Sequence, residues 1–518
     1  MKILFASVIA VCSLAAVSCG QPKKKHIPAG DTRAARLERS TPEAEGAPSR
    51  AVLGFLEKAK EAGLELHSFM LVKNGKVICE KWWEPYAPQY RHTLYSLSKS
   101  FTSIAVGMAM DEGLLALETP LSQIFAREFS DLGAKADDRV RRMTIRNLLT
   151  MSTGMESEYW AWDDPSTENN IISFLSGPLK DDPGQAFRYS TIATYMLSAA
   201  VTRVTGKTLV EYLEPRLFSP LGIDYDWELD EKTGVNMGGF GLSVTTEDIA
   251  KFGQMVLQKG MWEGKRLVSE NWIAEATKKQ ISTSAAYNDD GGDWAVGYGY
   301  QFWQCKPEGV FRGDGASGQF CVVAPSQDMI IAVTANVQYM DQLLDLFWEM
   351  LDKIKALPAD GDGAKELAAY TGLTYLLTDE DTQEYPAFSA EYKIEGGRDP
   401  RRAYIGVVRF AFKNNECTMS LYNNEDDEQA HVTYLFTNGK WGQALAPSFL
   451  SYEPESAHPI VTNGVWKDNV FTATTWYCET ALRREYRFTF GEDFSQIAIE
   501  SRYQTYSPFE PMGKGARK

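Results

Sequence analysis

Histidine is scarce in this chain of 518 residues: five in all, one of them (His26) in a polar N-terminal stretch. His-Glu-x-x-His does not occur, so the helical zinc-hydrolase pattern is excluded. The seven cysteines, at positions 12, 19, 79, 305, 321, 417 and 478, form no Cys-x-x-Cys, which argues against a zinc knuckle or a redox dithiol. Gly-x-Ser-x-Gly is missing, and with it a nucleophile elbow. Gly260-Met261-Trp262-Glu263-Gly264-Lys265 falls one residue short of a phosphate-cradling loop and is followed by Arg266. Positive charge is in deficit, with 53 Lys and Arg against 69 Asp and Glu and a net charge of -16, so nucleic acid is not an expected partner. No cofactor is expected either. A serine enzyme built from these residues needs a base other than histidine.

The apolar run from Ile3 to Val17 is too short for a comfortable membrane span and reads as an export signal. It ends in Ala16-Val17-Ser18-Cys19-Gly20, which resembles a lipoprotein processing site with Cys19 as the lipidated first residue. Residues 1–19 are therefore expected to be a signal segment and 20–49 a tether. The product is expected to be exported, periplasmic or anchored to a bacterial membrane through lipid. A simple secretory signal cut nearby is the alternative.

One stretch carries chemistry. From Ser98 to Met110 the residues read as a helix that is small and apolar on nearly every side beyond its first turns, hence buried. Lys99 lies in its first turn, where an unpaired ammonium is costly and tends to lose its proton. Ser96 stands three residues earlier, on the same face. A desolvated lysine can take the proton of a neighbouring hydroxyl. Ser96-Leu97-Ser98-Lys99 is the sole Ser-x-x-Lys in the chain. The bland alternative is a helix-capping serine beside a lysine that snorkels to solvent.

Other elements follow in order. Residues 50–63 read as an amphipathic helix, and Asn74-Gly75 between two apolar runs marks a hairpin. Pro183-Gly184 turns the chain toward Tyr189, at a loop-to-helix junction before an apolar helix from Ala193 to Val204. A phenol held near a lysinium can have its pKa lowered and serve as base or acid. Thr246-Glu247-Asp248 is expected to cap a helix to Leu257. Strands are expected at Tyr298–Trp303, 319–323 and 329–333. Gly313-Asp314-Gly315-Ala316-Ser317-Gly318, between the first two, matches Gly-x-Gly-x-x-Gly but precedes a strand rather than a helix, so a dinucleotide site is rejected. Alternation would put Arg312 and Asp314 on one strand face and Gly313 on the other; alternatively Asp314 points outward and ends a hairpin. After a helix from Gln342 to Leu357, the pattern changes to short alternating strands. His431 and His458 look isolated.

Taken in order, Leu94-Tyr95-Ser96-Leu97-Ser98-Lys99-Ser100, Leu148-Leu149-Thr150-Met151-Ser152-Thr153-Gly154, Pro183 to Ser190, Gly239 to Asp248 and Gly313 to Gln319 resemble the serine β-lactamase and penicillin-binding-protein superfamily. The branch is similar to class C β-lactamase-related hydrolases, with family VIII esterases and the 6-aminohexanoate-oligomer hydrolase. The resemblance implies an α+β, β-lactamase/transpeptidase-like fold at 50–357: an antiparallel sheet flanked by helices plus a helical part. Residues 358–518 are expected to form a C-terminal all-β accessory domain. By carry-over Ser96 is the acylated nucleophile, Lys99 its activator, and Tyr189 the base and later leaving-group acid. Backbone N–H groups of Ser96 and Ala316 would form the oxyanion hole, with Gly313, Asp314 and Gly315 along the substrate. Two departures stand out. The Tyr-x-Asn position is Tyr189-Ser190-Thr191, and the Lys-Thr-Gly or His-x-Gly position is Gly313-Asp314-Gly315. The implied activity is metal-free hydrolysis of a small or short-peptide ester or amide. A D,D-peptidase, a β-lactamase, and a non-catalytic ligand-binding lipoprotein are the alternatives.

Overall fold

A computed structural model describes residues 36–163, 167–287, 292–359, 361–371, 373–377, 381–397, 405–447, 457–503 and 507–518. The proposed signal segment and Cys19 lie outside the described residues.

The first region is a seven-stranded sheet between helical layers. In chain order its strands are β1 (Glu38–Arg39), β2 (Leu66–Lys73), β3 (Lys76–Trp82), β4 (Trp303–Gln304), β5 (Phe311–Gly315), β6 (Gln319–Ala324) and β7 (Met329–Ala335). They lie in the order β1-β3-β2-β7-β6-β5-β4, antiparallel except for the β1–β3 edge. Asn74 and Gly75 both take positive φ (51° and 76°), as a tight hairpin between β2 and β3 requires. Side chains alternate across each strand, and here both faces are covered, so the strands are apolar without interruption. Phe69, Leu71, Ile331 and Val333 meet α1 (Ser49–Glu61) and the closing helix Met340–Ala356. Met70, Val72, Ile330 and Ala332 face the opposite core, which contains Phe101 and Ile104 of α2 (Ser98–Asp111) and Phe252 of the helix Thr246–Leu257. Phe101 stacks on Phe252 at 3.9 Å, locking α2 onto its neighbour. A smaller helical part, between Leu121 and Leu221, is centred on the helix Thr191–Thr205, whose inner residues are buried.

Several sequence expectations are corrected. The second half of the expected 20–49 tether is folded: β1 pairs with β3, Leu37 and Ala47 are buried, and Arg39 bonds Glu247 at 2.6 Å. Tyr298–Trp303 is mostly turn, with a short strand at Trp303–Gln304, while the glycine-rich Phe311–Gly315 is a strand instead. Thr245 rather than Thr246 caps the helix Thr246–Leu257, in a capping box with Asp248. The β region does not start at 358. A helix, Gly361–Ala369, follows, and Leu367, Tyr370, Leu373 and Tyr375 pack with the first region because they complete the apolar face around α1.

The β region has its own core, from Tyr385 onward. Ten antiparallel strands run from Phe388–Glu395 to Glu510–Arg517, and the sheet's two ends approach each other to make a near-barrel. The Thr462 hydroxyl donates to the Leu435 carbonyl across that seam. Inward positions are aromatic: Phe410 meets Phe488 at 4.9 Å and Phe412 meets Phe471 at 5.0 Å, while Ala411 between them faces out. The near-barrel leans on the first region through Tyr375 stacked on Trp476 (5.3 Å) and through the Thr93 N–H, which donates to the Glu479 carbonyl at 2.8 Å. That contact lies three residues before Ser96. His458 is not isolated: its Nδ1 sits 2.6 Å from a Glu479 carboxylate oxygen. The five described cysteines are buried and free, Cys305 and Cys321 included.

Candidate active site

Ser96 sits in a short 3-10 turn, Tyr95–Leu97, that runs directly into α2. The residue before it, Tyr95, has φ 48°, a left-handed conformation that costs a bulky side chain about 1–2 kcal/mol and marks an imposed turn. The turn is tied down by Ser98, whose hydroxyl donates to the Tyr95 carbonyl (2.7 Å) and accepts from Leu242 N–H (3.2 Å). Ser96 is partly open to solvent, whereas Lys99 below it is 1% exposed. The lysine does not snorkel.

Lys99 Nζ has three oxygen neighbours: Gly239 O at 2.7 Å, Ser96 Oγ at 3.0 Å and Thr191 Oγ1 at 3.4 Å. Burial pulls its pKa down to about 7, and the Glu158 and Asp314 carboxylates oppose the fall. A neutral amine has two hydrogens and one lone pair. With the hydrogens directed to Gly239 and Thr191, the lone pair is left for the Ser96 hydroxyl. The Gly238-Gly239 crossing can come this close only without side chains: a Cβ on Gly239 would stand 2.7 Å from the Thr191 carbonyl oxygen. Thr191 thus stands where the expected motif has asparagine, and its hydroxyl fills the role of acceptor.

Tyr189 lies over the same group. Its ring is 5.0 Å from Lys99 Nζ and stacks on Trp303 at 5.7 Å. The expectation that its pKa falls is reversed. Burial pushes the phenol well above its ordinary value, the Asp314 carboxylate pushes the same way, and a hydrogen bond with Ser96 only partly offsets them. Near neutrality the tyrosine keeps its proton and Lys99 is the group that can take one.

The third wall is β5. A Cβ on Gly315 would lie 2.0 Å from the Leu94 carbonyl oxygen, and one on Gly313 would lie 2.5 Å from a Leu97 methyl and 2.6 Å from Ser100 Oγ. These glycines are therefore docking positions, which let the strand press against the serine turn. Ala316 opens the hairpin turn, held by the Gln319 side-chain amide, which donates to the Ala316 carbonyl (2.9 Å) and the Ala335 carbonyl (2.8 Å). Asp314 does not point outward. It is buried and receives the Arg312 Nε–H at 3.0 Å, as strand alternation requires. Arg312, fully buried, also donates to Gln304 O (3.1 Å) and lies 4.7 Å from the Trp294 ring centre. Among the described residues, no exposed cation therefore stands in the place where the resembled family has one.

Sequence reasoning missed Glu158, Thr191 as acceptor, and the Gly239 carbonyl. Only the aromatic neighbours Tyr159, Trp160 and Trp162 signalled that loop. Among the described residues no group of three His, Cys, Asp or Glu side chains is placed to hold a metal ion.

The arrangement of a buried lysine under a serine at the start of a helix, with a tyrosine above and a strand alongside, coincides with a family match: residues 55–350, more than half of the chain, fit the Beta-lactamase family model. The chain belongs to that family. Among curated proteins it is 27% identical over 284 residues to the 6-aminohexanoate-dimer hydrolase of Paenarthrobacter ureafaciens, covering 51% of this chain and 71% of that protein. It is 31% identical over 150 residues to the lovastatin esterase of Penicillium rubens, covering 25% of this chain and 37% of that one. A solved structure from Bacillus anthracis, described as a candidate 6-aminohexanoate-dimer hydrolase, shares the fold with a TM-score of 0.50 at 20% identity, over 65% of this chain and 89% of its own. Two curated relatives of this chain are thus named as hydrolases.

Proposed function

We propose that this member of the family is a serine hydrolase that opens an ester or amide bond through an acyl-enzyme on Ser96. The observation that carries the reading is Lys99 Nζ at 3.0 Å from Ser96 Oγ, sealed from water, with its pKa drawn to about 7. The uncharged amine takes the Ser96 proton as Oγ attacks the substrate carbonyl carbon. Negative charge on the carbonyl oxygen is then received by the Ser96 and Ala316 backbone N–H groups, each worth about 3–4 kcal/mol in such a role. As the carbonyl carbon–leaving-group bond breaks, the Tyr189 phenol donates its proton to the departing oxygen or nitrogen, and Lys99 returns the proton taken from Ser96 to the phenolate. Water, activated by the same Lys99–Tyr189 pair, releases the acid and restores Ser96.

The relatives named as a 6-aminohexanoate-dimer hydrolase and a lovastatin esterase support an ester or amide substrate. A penicillin-type substrate carries a carboxylate, and among the described residues no exposed cation stands at the Gly313 position to receive it. Gly313 is packed against Leu97 and Ser100, and Arg312 is buried and bonded to Asp314. Because Arg312 and Asp314 answer each other, the pair offers an incoming carboxylate no attraction. Neutral or cationic short esters and amides are the substrates this favours. The test is kcat/KM for a neutral nitrophenyl ester against that for nitrocefin: the ester should win, and comparable or better nitrocefin turnover restores the β-lactamase alternative.

A further inference from the structure

Glu158 belongs to no motif, yet the site closes around it. Its carboxylate accepts the N–H groups of Thr191 and Ile192 (the latter at 3.3 Å), the first two residues of the helix Thr191–Thr205. It also accepts the Trp160 indole N–H at 2.9 Å. A carboxylate at a helix N-terminus meets unsatisfied N–H groups and the positive end of the helix dipole, so its position is fixed there. Two of the residues it holds lead to Lys99. Thr191 bonds the lysine through its hydroxyl, and Trp160 packs against Phe240 (6.1 Å), the residue after the Gly239 carbonyl that the lysine also bonds.

The charged and titratable groups that face Lys99 can be taken wall by wall. The helix's own turn offers the uncharged Ser96. The loop before Thr191–Thr205 offers the Tyr189 phenol, which keeps its proton. β5 offers Asp314, a carboxylate already engaged with Arg312 at 3.0 Å. The loop that carries Trp160 offers Glu158. Both carboxylates act on the lysine through space, but among the described residues only Asp314 has a guanidinium of its own to answer it.

We propose that Glu158 is a positioning residue for the Ser96 reaction: fixed by the helix N-terminus and the Trp160 indole, it orients Thr191 against Lys99 and sets the charge the lysine carries. This rests on the reading of Ser96 and Lys99 as the reacting pair. Without the carboxylate, Lys99 loses a stabilising negative charge and gives up its proton at lower pH. With the carboxylate in place, the lysine keeps its proton to higher pH, which strengthens it as a base.

The experiment compares the whole protein with Glu158→Gln and Glu158→Asp. The rate of Ser96 labelling by a fluorophosphonate is followed against pH, and the lysine titration is read independently from 13Cε shifts, with Lys99→Met for assignment. Glu158→Gln should move the midpoint of both curves down by roughly half to one pH unit. Glu158→Asp, which keeps the charge, should stay nearer the wild type than Glu158→Gln. An unmoved midpoint in Glu158→Gln, with the rate lowered equally at every pH, overturns the proposal and leaves Glu158 a structural cap. If wild-type Ser96 is not labelled at all, the hydrolase reading fails, while the 13Cε titration still decides whether Glu158 governs Lys99. Should Glu158→Gln not fold, Glu158→Ala and Trp160→Phe, which remove the carboxylate or one of its donors, take its place. A midpoint that neither change moves likewise refutes the proposal.

Discussion

Replacing Lys99 by methionine should stabilise the protein at pH 6 relative to pH 10, and by an amount that the site itself fixes. In the unfolded chain a lysine titrates near 10.5; in the fold Lys99 is drawn to about 7. Between those values the unfolded state binds more protons than the folded one, so the lysine's contribution to stability falls as pH falls from about 10.5 to about 7, and is constant below. A fall of about 3.5 in pKa, at about 1.36 kcal/mol each, is about 5 kcal/mol. Lys99→Met removes that penalty. It also strips the hydrogen bonds to Gly239 and Thr191, at about 1 kcal/mol each. The difference in unfolding free energy between Lys99→Met and wild type should therefore swing by roughly 3–5 kcal/mol between pH 10 and pH 6, favouring the mutant at the acid end. Because both proteins share every other titrating group, urea denaturation of the pair at several pH values isolates this term. A difference that does not change with pH would mean that Lys99 is an ordinary charged lysine, and the base assigned to Ser96 would be lost.

Further expectations follow from other parts of the site. Tyr189→Phe should lower hydrolysis of an alkyl amide at least a hundredfold but that of a nitrophenyl ester much less, since a good leaving group needs no proton; equal losses on both would remove Tyr189 as leaving-group acid. Arg312→Leu leaves Asp314 buried without its guanidinium and should cost about 3–5 kcal/mol in chemical denaturation; a loss under about 1 kcal/mol would show that the pair is not held in the interior. Gly315→Ala drives a methyl into the Leu94 carbonyl and should cost about 1–3 kcal/mol together with slower Ser96 labelling; unchanged labelling would show that β5 need not press on the serine turn. If the chain is exported as the lipoprotein we propose, Cys19→Ala should release it from the membrane fraction or leave it unprocessed, and unchanged anchoring and cleavage would refute that.

What could be read from the sequence was what is written locally. Ser96 and Lys99 stand three apart on an apolar helix, so both the pairing and the burial are consequences of one short stretch. Asn74-Gly75 fixes its hairpin for the same reason: the turn's positive φ values are a property of those two residues. The strand Phe311–Gly315 was obscured because its glycines, which read as loop, serve instead to admit the Leu94–Ser100 turn, a contact more than two hundred residues away in sequence. Glu158 carries no periodicity, and its partners are backbone N–H groups that no side-chain pattern announces. The direction of the Tyr189 pKa also depended on tertiary packing: proximity to a lysine lowers a phenol, but burial beside Trp303 and Asp314 outweighs it. The 20–49 and 358 boundaries moved because Leu37, Ala47 and Leu367 fill core positions that a compositional shift does not reveal.

The most direct test of the hydrolase reading is the mass of the intact protein after exposure to a fluorophosphonate across pH 5 to 9. One adduct per chain is expected, located at Ser96 by peptide mapping, absent in Ser96→Ala, and forming at a rate that rises with pH through a midpoint near the Lys99 value of about 7. No adduct on the folded protein, or an adduct that survives Ser96→Ala, would contradict it.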